Sequence, residues 1–371
     1  MRFLPIVYAK DNSILGKHVY DNEGRILLKK GATLTPKIKK RIKQIGIHSV
    51  YVLDEYSDEE LKDVIRPELR NQALSSIKST FNHFRQYNNK QNNSILNSSV
   101  KNRFNNERRQ HINNLSKISE EILDEILSNK DILINLVDIK SNDAYTLQHS
   151  INVAVLSLIL GISLNLNKSD LRDLCLGAIL HDIGKTMIPK EILQKNGPLT
   201  KEEFDIVKTH PQIGYDYLKD CSNISGKARI IALHHHEKYD GTGYPQSLVR
   251  NDINKLARIV TIADVYDALT SDRPYRLAMP PNAAIEYLMA GGGTSFDFDM
   301  VKIFISKIIP YPIGSLVRLS NGKIATIKNI HERFPLRPFV AVVWGGPKQD
   351  IDLMKETNIV IKNIEYQIPE E

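Results

Sequence analysis

Residues 171–185 have the sequence LRDLCLGAILHDIGK, and this stretch decides how the central part of the chain folds. Its apolar residues recur at the spacing of a single helical face, and they are Leu171, Leu174, Cys175 and Ala178. That spacing predicts a helix with one buried face. His181 and Asp182 then lie at its C-terminal end, and Gly184 is a residue at which the helix can end.

Further histidines and an aspartate follow or precede this dyad on other predicted helices, and they are His149, His210, His235, His236 and Asp264. Imidazole nitrogens and carboxylate oxygens are the ligands of hydrolytic metals. Each histidine alone is compatible with a core or surface role. Together with two aspartates they indicate a metal site assembled from several helices, with more ligands than one metal uses. His234 directly precedes His235 and His236, and we expect it to support the site or to be structural.

The region 141–309 has a helical pattern throughout. Thr200 and Glu203 form a capping box, which predicts a helix whose last turn contains His210 before Pro211. Another apolar stripe lies beside Asp264, and it consists of Leu256, Ile259, Val260 and Ala263. This region therefore is the expected catalytic domain.

The flanking segments have other patterns. Residues 1–60 predict a small α+β accessory unit with strands at 18–20, 25–29 and 48–53, and with a helix that Thr35 and Pro36 begin and Gly46 ends. Residues 61–140 predict a helical linker region, in which the Asn-rich stretch 86–110 is expected to be a linker or mobile hairpin. Residues 310–371 predict a β-rich appendage with strands at 315–319, 324–327 and 339–344.

Composition narrows the class of protein. The net charge of +7 attracts polyanions, but the basic residues are dispersed, so we expect no dedicated nucleic-acid role. No apolar run approaches the roughly 20 residues of a membrane span. The two cysteines, Cys175 and Cys221, form no C-x-x-C motif, which is typical of a reducing compartment. We therefore expect a cytoplasmic protein.

Four stretches resemble the HD-GYP family, bacterial phosphodiesterases of the HD superfamily that degrade cyclic di-GMP. They are HDIGK at 181–185, HHEKYDGTGYP at 235–245, ADVYDALTSDRPYR at 263–276 and GTSFD at 293–297. The resemblance covers residues 141–309. It implies a mainly α fold, with an all-helical HD-superfamily catalytic domain between the small α+β unit and the β-rich appendage.

The resemblance also implies a metal centre. The positions that match the family's ligands are His149, His181, Asp182, His210, His235, His236 and Asp264, with Asp182 as the bridge. We expect two divalent ions, with Fe or Mn favoured over Ni, Co or Zn. Some members bind a third metal through a glutamate four residues before the first histidine, where this chain has Tyr145. The linear dinucleotide pGpG is therefore the expected product, and further hydrolysis to GMP is in doubt.

Substrate roles follow from the same match. Lys185 is expected to contact a phosphate, Asp267 a guanine edge, and Arg273 and Arg276 the same cleft. A local salt-bridge set of Asp267 with the two arginines is the alternative. Tyr244, in the tripeptide Gly243-Tyr244-Pro245, is expected to stack on a base or to recruit a partner protein, unless that tripeptide is a structural turn. No residue is an obvious nucleophile, so a metal-bridging hydroxide is the expected attacking group.

Two other functions stay open at this stage. One is an HD-type hydrolase of another nucleotide or cyclic dinucleotide. The other is a receptor or scaffold that binds cyclic di-GMP without turnover. The helical linker favours a homodimer.

Asp182→Ala is expected to abolish both metal occupancy and turnover, because it removes the expected bridging carboxylate. Metal content per chain and phosphodiesterase activity are measured on the same preparation. Retained turnover in this variant would overturn the site assignment.

Overall fold

The computed structural model describes residues 1–20, 25–45, 47, 49–54, 64–91, 98–128, 145–195, 197–271, 279–331 and 334–369. These residues form an N-terminal α+β unit, a large set of packed helices and a C-terminal antiparallel sheet. The predicted mainly α fold class with two β-containing flanks is confirmed. Among the described helices, none has the length and apolarity that a bilayer crossing requires.

The N-terminal unit has its own small core of residues such as Leu15, Leu34 and Val50. Its elements are β1 (Arg2–Pro5), β2 (Ser13–Leu15), β3 (Val19–Tyr20), β4 (Ile26–Leu28), β5 (Thr33–Leu34), α1 (Pro36–Gln44) and β6 (Ser49–Leu53). The strand order of the main sheet is β1-β6-β2-β5, and β3 pairs with β4. The predicted strands and helix are present. Sequence analysis missed β1, β2 and β5, which are too short for a clear alternation. Gly46 and the turn at 21–24 lie outside the described residues.

Two long helices follow, α2 (Pro67–Gln91) and α3 (Ser98–Ser128). Across 86–110, where a linker or mobile hairpin is expected, α2 continues to Gln91 and α3 begins at Ser98, and the two helices pack against each other. Phe104 and Arg108 of α3 are buried. Arg108 donates to the carbonyls of Tyr217 and Asp220, at 3.4 and 3.2 Å. Tertiary contacts of this kind outweigh the poor helix propensity of asparagine.

The helices of the region 141–309 follow, and most of them share one hydrophobic core with α2 and α3. They are α4 (Tyr145–Ser163), α5 (Lys168–Leu180), α6 (Lys190–Leu193), α7 (Lys201–Val207), α8 (His210–Lys219), α9 (Gly226–His234), α10 (Lys255–Thr270), α11 (Pro281–Ala290) and α12 (Phe298–Ile305). Helix α4 is buried on every side from residue 151 to residue 161, as expected for a central core helix. It packs against α5 and α10, and α5 packs against α9.

Two predicted helix boundaries are wrong. Helix α5 ends at Leu180, and His181 is its C-cap, so Gly184 lies in the following 3-10 helix, Ile183–Met187. The helix that begins at the predicted capping box ends at Val207. His210 instead begins α8, because Pro211 lacks an N–H and fits the first turn of a helix.

The C-terminal sheet has the strand order β10-β9-β8-β7-β11, with every neighbouring pair antiparallel. Its strands are β7 (Leu316–Leu319), β8 (Ile324–Asn329), β9 (Phe339–Trp344), β10 (Asp350–Asp352) and β11 (Ile361–Glu365). The first three are the predicted strands. Sequence analysis missed β10 and β11, which have polar residues at positions that a half-buried strand usually fills with apolar ones.

Phe304→Ala is expected to destabilise the helical core by about 3–5 kcal/mol, because a fully buried aromatic side chain is replaced by a cavity. Its ring lies edge-on to Tyr266 of α10, with 5.4 Å between centroids. Urea unfolding measures the loss. Phe298→Ala on the same helix is the matched control, because Phe298 is 58% exposed. Equal effects of the two substitutions would contradict this core assignment.

Candidate metal centre

Two neighbouring groups of side chains have the composition of metal sites. One consists of Asp182, His210, His235 and His236, and the other consists of His149, His181 and Asp264. Within each group, the ligand atoms all lie within 4.8 Å of one another. The structure therefore brings together all seven residues that the sequence singled out as ligands, from five separate segments of the helical region.

The Asp182 carboxylate lies between the two groups. Its Oδ1 is 3.3 Å from His210 Nε2 and 3.5 Å from His235 Nε2. Its Oδ2 is 3.4 Å from His181 Nε2 and 4.0 Å from His149 Nε2. One oxygen thus faces each group, which is the arrangement of a carboxylate that bridges two cations.

Backbone carbonyls hold three of the imidazole rings in place. His181 Nδ1 donates to the Ala178 carbonyl at 2.7 Å, and His210 Nδ1 donates to the Val207 carbonyl at 2.7 Å. His235 Nδ1 donates to the Ala232 carbonyl at 3.0 Å. Each partner is three residues earlier, in the last turn of a helix, where carbonyls lack an intrahelical partner. Because a carbonyl only accepts, the proton is on Nδ1 and the Nε2 lone pair faces the centre.

The unsatisfied atoms of the centre fit a metal ion. His181 Nε2 and Asp182 Oδ1 are buried without a hydrogen-bond partner among the described residues. His210 Nε2 and His235 Nε2 are 3.3 Å apart, and each presents a lone pair to the other. Two facing lone pairs and a buried carboxylate oxygen are unfavourable unless a cation lies between them. Imidazole and carboxylate ligands suit Fe, Mn, Zn, Co or Ni.

Ionised carboxylates are favoured in the centre. Burial alone would raise the pKa of Asp182, but the Lys185 ammonium and the His181 ring hold this pKa well below its usual range. Burial would likewise raise the pKa of Asp264, but its hydrogen bond to His149 lowers it. Carboxylates must be ionised to coordinate a metal, so both residues are in the form that binds.

The histidines divide into two kinds. Burial lowers the pKa of His235 to about 4, and burial together with the neighbouring His235 lowers the pKa of His236 well below its usual value. Both rings are therefore neutral, as a metal ligand must be. His149 differs, because hydrogen bonds to Asp264 and Asp267 outweigh its burial and raise its pKa to about 9. A cation at His149 Nε2 must displace the proton of that nitrogen.

Asp267 is not placed as sequence analysis expects. Its side chain is 4% exposed. Its Oδ2 accepts a hydrogen bond from His149 Nδ1 at 2.6 Å, and its Oδ1 accepts from Asn152 Nδ2 at 2.9 Å. Both oxygens thus accept hydrogen bonds from inside the protein, which disfavours the expected contact with a guanine edge. Arg273 and Arg276, its expected neighbours in the cleft, lie outside the described residues.

Lys185 lies at the rim of the centre. Its Nζ donates to Asp182 Oδ2 at 2.6 Å, and 27% of the side chain is exposed. The ammonium thus neutralises part of the carboxylate charge and still faces solvent. Its expected contact with a phosphate stays a prediction.

Tyr244 lies against His236, one of the seven expected ligands. The two rings stack with 4.9 Å between centroids and an interplanar angle of 27°. The Phe204 ring is edge-on to Tyr244, with centroids 6.3 Å apart. Phe204 is 44% exposed, and sequence analysis did not single it out. Tyr244 therefore contacts His236, and the exposed Phe204 in turn contacts Tyr244.

Glu237 holds the loop that contains Tyr244. This buried carboxylate accepts from the backbone N–H groups of Gln246 and Leu248, at 2.7 and 3.0 Å. A Cβ at Gly243 would lie 2.2 Å from the Lys238 nitrogen, so only glycine permits this approach. His234 Nε2 is 3.0 Å from Gln246 Oε1, outside both groups of ligands. Glu237 and Gly243 thus hold the loop in place, and neither is a metal ligand that the sequence pattern predicts.

Sequence reasoning missed two further supporting residues, although spacing offered a signal for each. Asn152 is three residues after His149 on α4, on the same face of the helix. Thr261 is three residues before Asp264 on α10, and its hydroxyl donates to the His235 carbonyl at 2.8 Å. Buried polar residues at this spacing from a ligand indicate a supporting hydrogen bond. The side chain of Tyr145, the position of the third-metal glutamate, lies outside what the structure describes.

Comparison with known proteins places this geometry in context. The family model of the HD domain matches residues 94–300. A cyclic di-GMP phosphodiesterase of Pseudomonas aeruginosa is 39% identical over 244 residues, which are 64% of this chain and 59% of that protein. A cyclic di-GMP phosphodiesterase of Borreliella burgdorferi is 33% identical over 227 residues, which are 59% of this chain and 60% of that protein. The chain thus spans about three fifths of the length of these curated relatives.

A solved structure is similar over more of the chain. It is an HDG"Y"P protein from Bdellovibrio bacteriovorus, with a TM-score of 0.53 and 20% sequence identity. The match covers 82% of this chain and 97% of that protein. At this identity, the likeness concerns the fold alone.

Gly184→Ala is expected to reduce metal binding, because the added Cβ would lie 2.0 Å from the His210 carbonyl and displace the start of α8. Overpacking of this kind costs about 1–3 kcal/mol. Metal content per chain and the thermal unfolding temperature are the measurements. Gly226→Ala is the control, because its Cβ would meet nothing within 4 Å. A Gly184→Ala protein with unchanged metal content and unfolding temperature would contradict the close packing of this turn on His210.

Proposed function

Because the chain belongs to the HD domain family, we propose that it hydrolyses cyclic di-GMP with the help of two divalent metal ions. The observation that supports this most is the Asp182 carboxylate, which has one oxygen toward each of two groups of imidazole and carboxylate ligands. The names of the relatives from P. aeruginosa and B. burgdorferi support the choice of substrate.

Each group of ligands would hold one ion, with Asp182 shared between them. His149, His181 and Asp264 complete one set, and His210, His235 and His236 complete the other. When bound, divalent ions lower the pKa of water and neutralise charge on a phosphoryl oxygen. Fe or Mn is favoured, and Ni, Co or Zn suits the same ligands. Two ions are proposed, since the chain has Tyr145 where a third-metal ligand is a glutamate.

The remaining residues of the centre would bind and orient the dinucleotide. Lys185, at the rim, is positioned to pair with a phosphate oxygen while it contacts Asp182. Tyr244 offers a ring face to a guanine, next to the exposed Phe204. Arg273 and Arg276 are proposed to bind the substrate, as the resemblance implies. Asp267 has no part in substrate contact in this proposal.

Water is the nucleophile in this proposal. Cys175 and Cys221 are buried thiols, and burial raises the pKa of each. A buried thiol with a raised pKa is unreactive, so neither cysteine is suited to form a covalent intermediate. Hydrolysis of one phosphodiester bond then yields pGpG. Action in the cytoplasm, a homodimer and a protein partner at Gly243-Tyr244-Pro245 stay predictions.

Anaerobic incubation of the Mn- or Fe-loaded full chain with cyclic di-GMP is expected to give pGpG, with two metals per chain in the same sample. Chromatography separates the products, and elemental analysis counts the metals. Asp182→Ala is the inactive control. His331→Gln, a substitution in the loop after β8, is the matched histidine control and is expected to keep full activity.

Other outcomes select the alternatives. Preferred hydrolysis of 3′3′-cGAMP, cyclic di-AMP or a mononucleotide would replace the substrate. Tight binding of cyclic di-GMP at full metal occupancy, without turnover, would assign the chain to the receptor class. GMP as the first product, with no pGpG at early times, would contradict the proposed single hydrolysis.

A further inference from the structure

Four polar side chains form a continuous series of hydrogen bonds from α2 to the metal centre. Arg70 Nη1 on α2 donates to Asn152 Oδ1 on α4 at 3.0 Å. Asn152 Nδ2 donates to Asp267 Oδ1 on α10 at 2.9 Å. Asp267 Oδ2 accepts from His149 Nδ1, again on α4, at 2.6 Å. The series begins on the helix that follows the N-terminal unit, and it ends on a metal-binding imidazole.

The hydrogen bonds of this series converge on Asp267, which accepts from Asn152 on one side and from His149 on the other. A guanidinium only donates, so Asn152 must turn its carbonyl oxygen toward Arg70 and its amide nitrogen toward Asp267. Gln148 Nε2 is a second donor to the same oxygen, at 3.4 Å. A carboxylate only accepts, so the imidazole nitrogen that faces Asp267 must have the proton. Arg70 and Asn152 thereby hold the Asp267 carboxylate in place, and that carboxylate keeps a proton on His149 Nδ1.

We infer that Arg70 and Asn152 are positioning residues that, through Asp267, hold His149 with its proton on Nδ1 and its Nε2 available to a divalent ion. This inference rests on the proposed metal centre and goes beyond it, because it assigns roles to three residues that bind neither metal nor substrate. His149 Nε2 is directed toward Asp264, whose Oδ1 is 3.0 Å away. The imidazole thus faces the position of a shared ion.

His149 differs from the other rings in that its Nδ1 contacts a side-chain carboxylate. His181, His210 and His235 donate from Nδ1 to backbone carbonyls, which no substitution removes. The Nδ1 of His149 instead contacts a side chain, which is itself held by another side chain. The position of its Nδ1 acceptor is therefore sensitive to substitutions at a distance, whereas the acceptors of the other three rings are backbone atoms.

Burial makes the polarity of the series strict. Asn152 is 1% exposed and His149 is 3% exposed, so water does not replace a lost partner. If the Asn152 amide turned over, its nitrogen would face the Arg70 donor and its oxygen would face the Asp267 carboxylate. Both contacts would be repulsive. Asn152→Asp has nearly the same shape but cannot donate to Asp267, so it tests polarity separately from packing.

Asn152→Asp is expected to weaken Mn²⁺ binding by about 10- to 100-fold, as substitutions around metal-binding histidines do. Arg70→Met is expected to weaken it in the same direction, and Arg70→Lys, which retains a cationic donor, is expected to restore most of the affinity. Lys78→Met, an exposed position on the same helix, is the matched control. Competition with a chelator measures the affinity in full-length protein.

A second measurement reports the tautomer directly. In ¹⁵N-labelled, Zn²⁺-loaded protein, the imidazole nitrogens of His149 are expected to show a proton on Nδ1 and a metal on Nε2. Arg70→Met is expected to broaden or shift this pair of signals, while the signals of His181 and His210 stay unchanged. A purely structural role of Arg70 would alter the unfolding temperature of the metal-free protein without this selective change.

The inference is wrong if Arg70→Met and Arg70→Lys both bind Mn²⁺ like the wild type and leave the His149 signals unchanged. Should Asn152→Asp fail to fold, the Arg70 pair alone decides. Failure of the proposed function has a different signature. A wild-type protein that binds two metals with the expected His149 signals, and hydrolyses no cyclic dinucleotide, contradicts the proposed function and leaves this inference standing.

Discussion

The burial of one ionised carboxylate determines the design of the helical region. Asp182 is 1% exposed, and an isolated carboxylate at that depth would be very unfavourable. The imidazoles of four helices and the Lys185 ammonium surround it and hold its pKa low. Positive charge at this point is thus a condition for the packing of α4, α5, α8 and α9 as well as for chemistry. Metal binding and folding are linked in such a centre.

Much of this arrangement could be predicted, because ligand chemistry and helical periodicity are local in sequence. The stripe from Leu171 to Ala178 gave α5, and it placed His181 and Asp182 at a helix end beside the core. All seven expected ligands are close together in the structure. The exact start of α8 was not predictable from the capping box alone, since Thr200 shows where a helix begins and not where it ends.

Other features depend on contacts that are distant in sequence. Asp267 is three residues from Asp264 and has the spacing of a second ligand-like carboxylate, but its actual partners are His149 and Asn152 on another helix. The asparagines after Ser98 discourage a helix locally, whereas Arg108 ties α3 to the end of α8. The need for glycine at 184 arises from the His210 carbonyl, which belongs to another helix. Local propensity contains no information about these partners.

The complete burial of α4 has a mechanical consequence. His149 and Asn152 lie on a helix that is surrounded by protein from residue 151 to residue 161. These two side chains therefore cannot shift unless the core opens. Lys185, Phe204 and Tyr244, in contrast, are at the solvent side. Any adjustment of the centre would therefore involve side chains on the solvent side. The deep part of the centre is therefore rigid. The side chains on the solvent side are the ones that a substitution can change without disturbing the core.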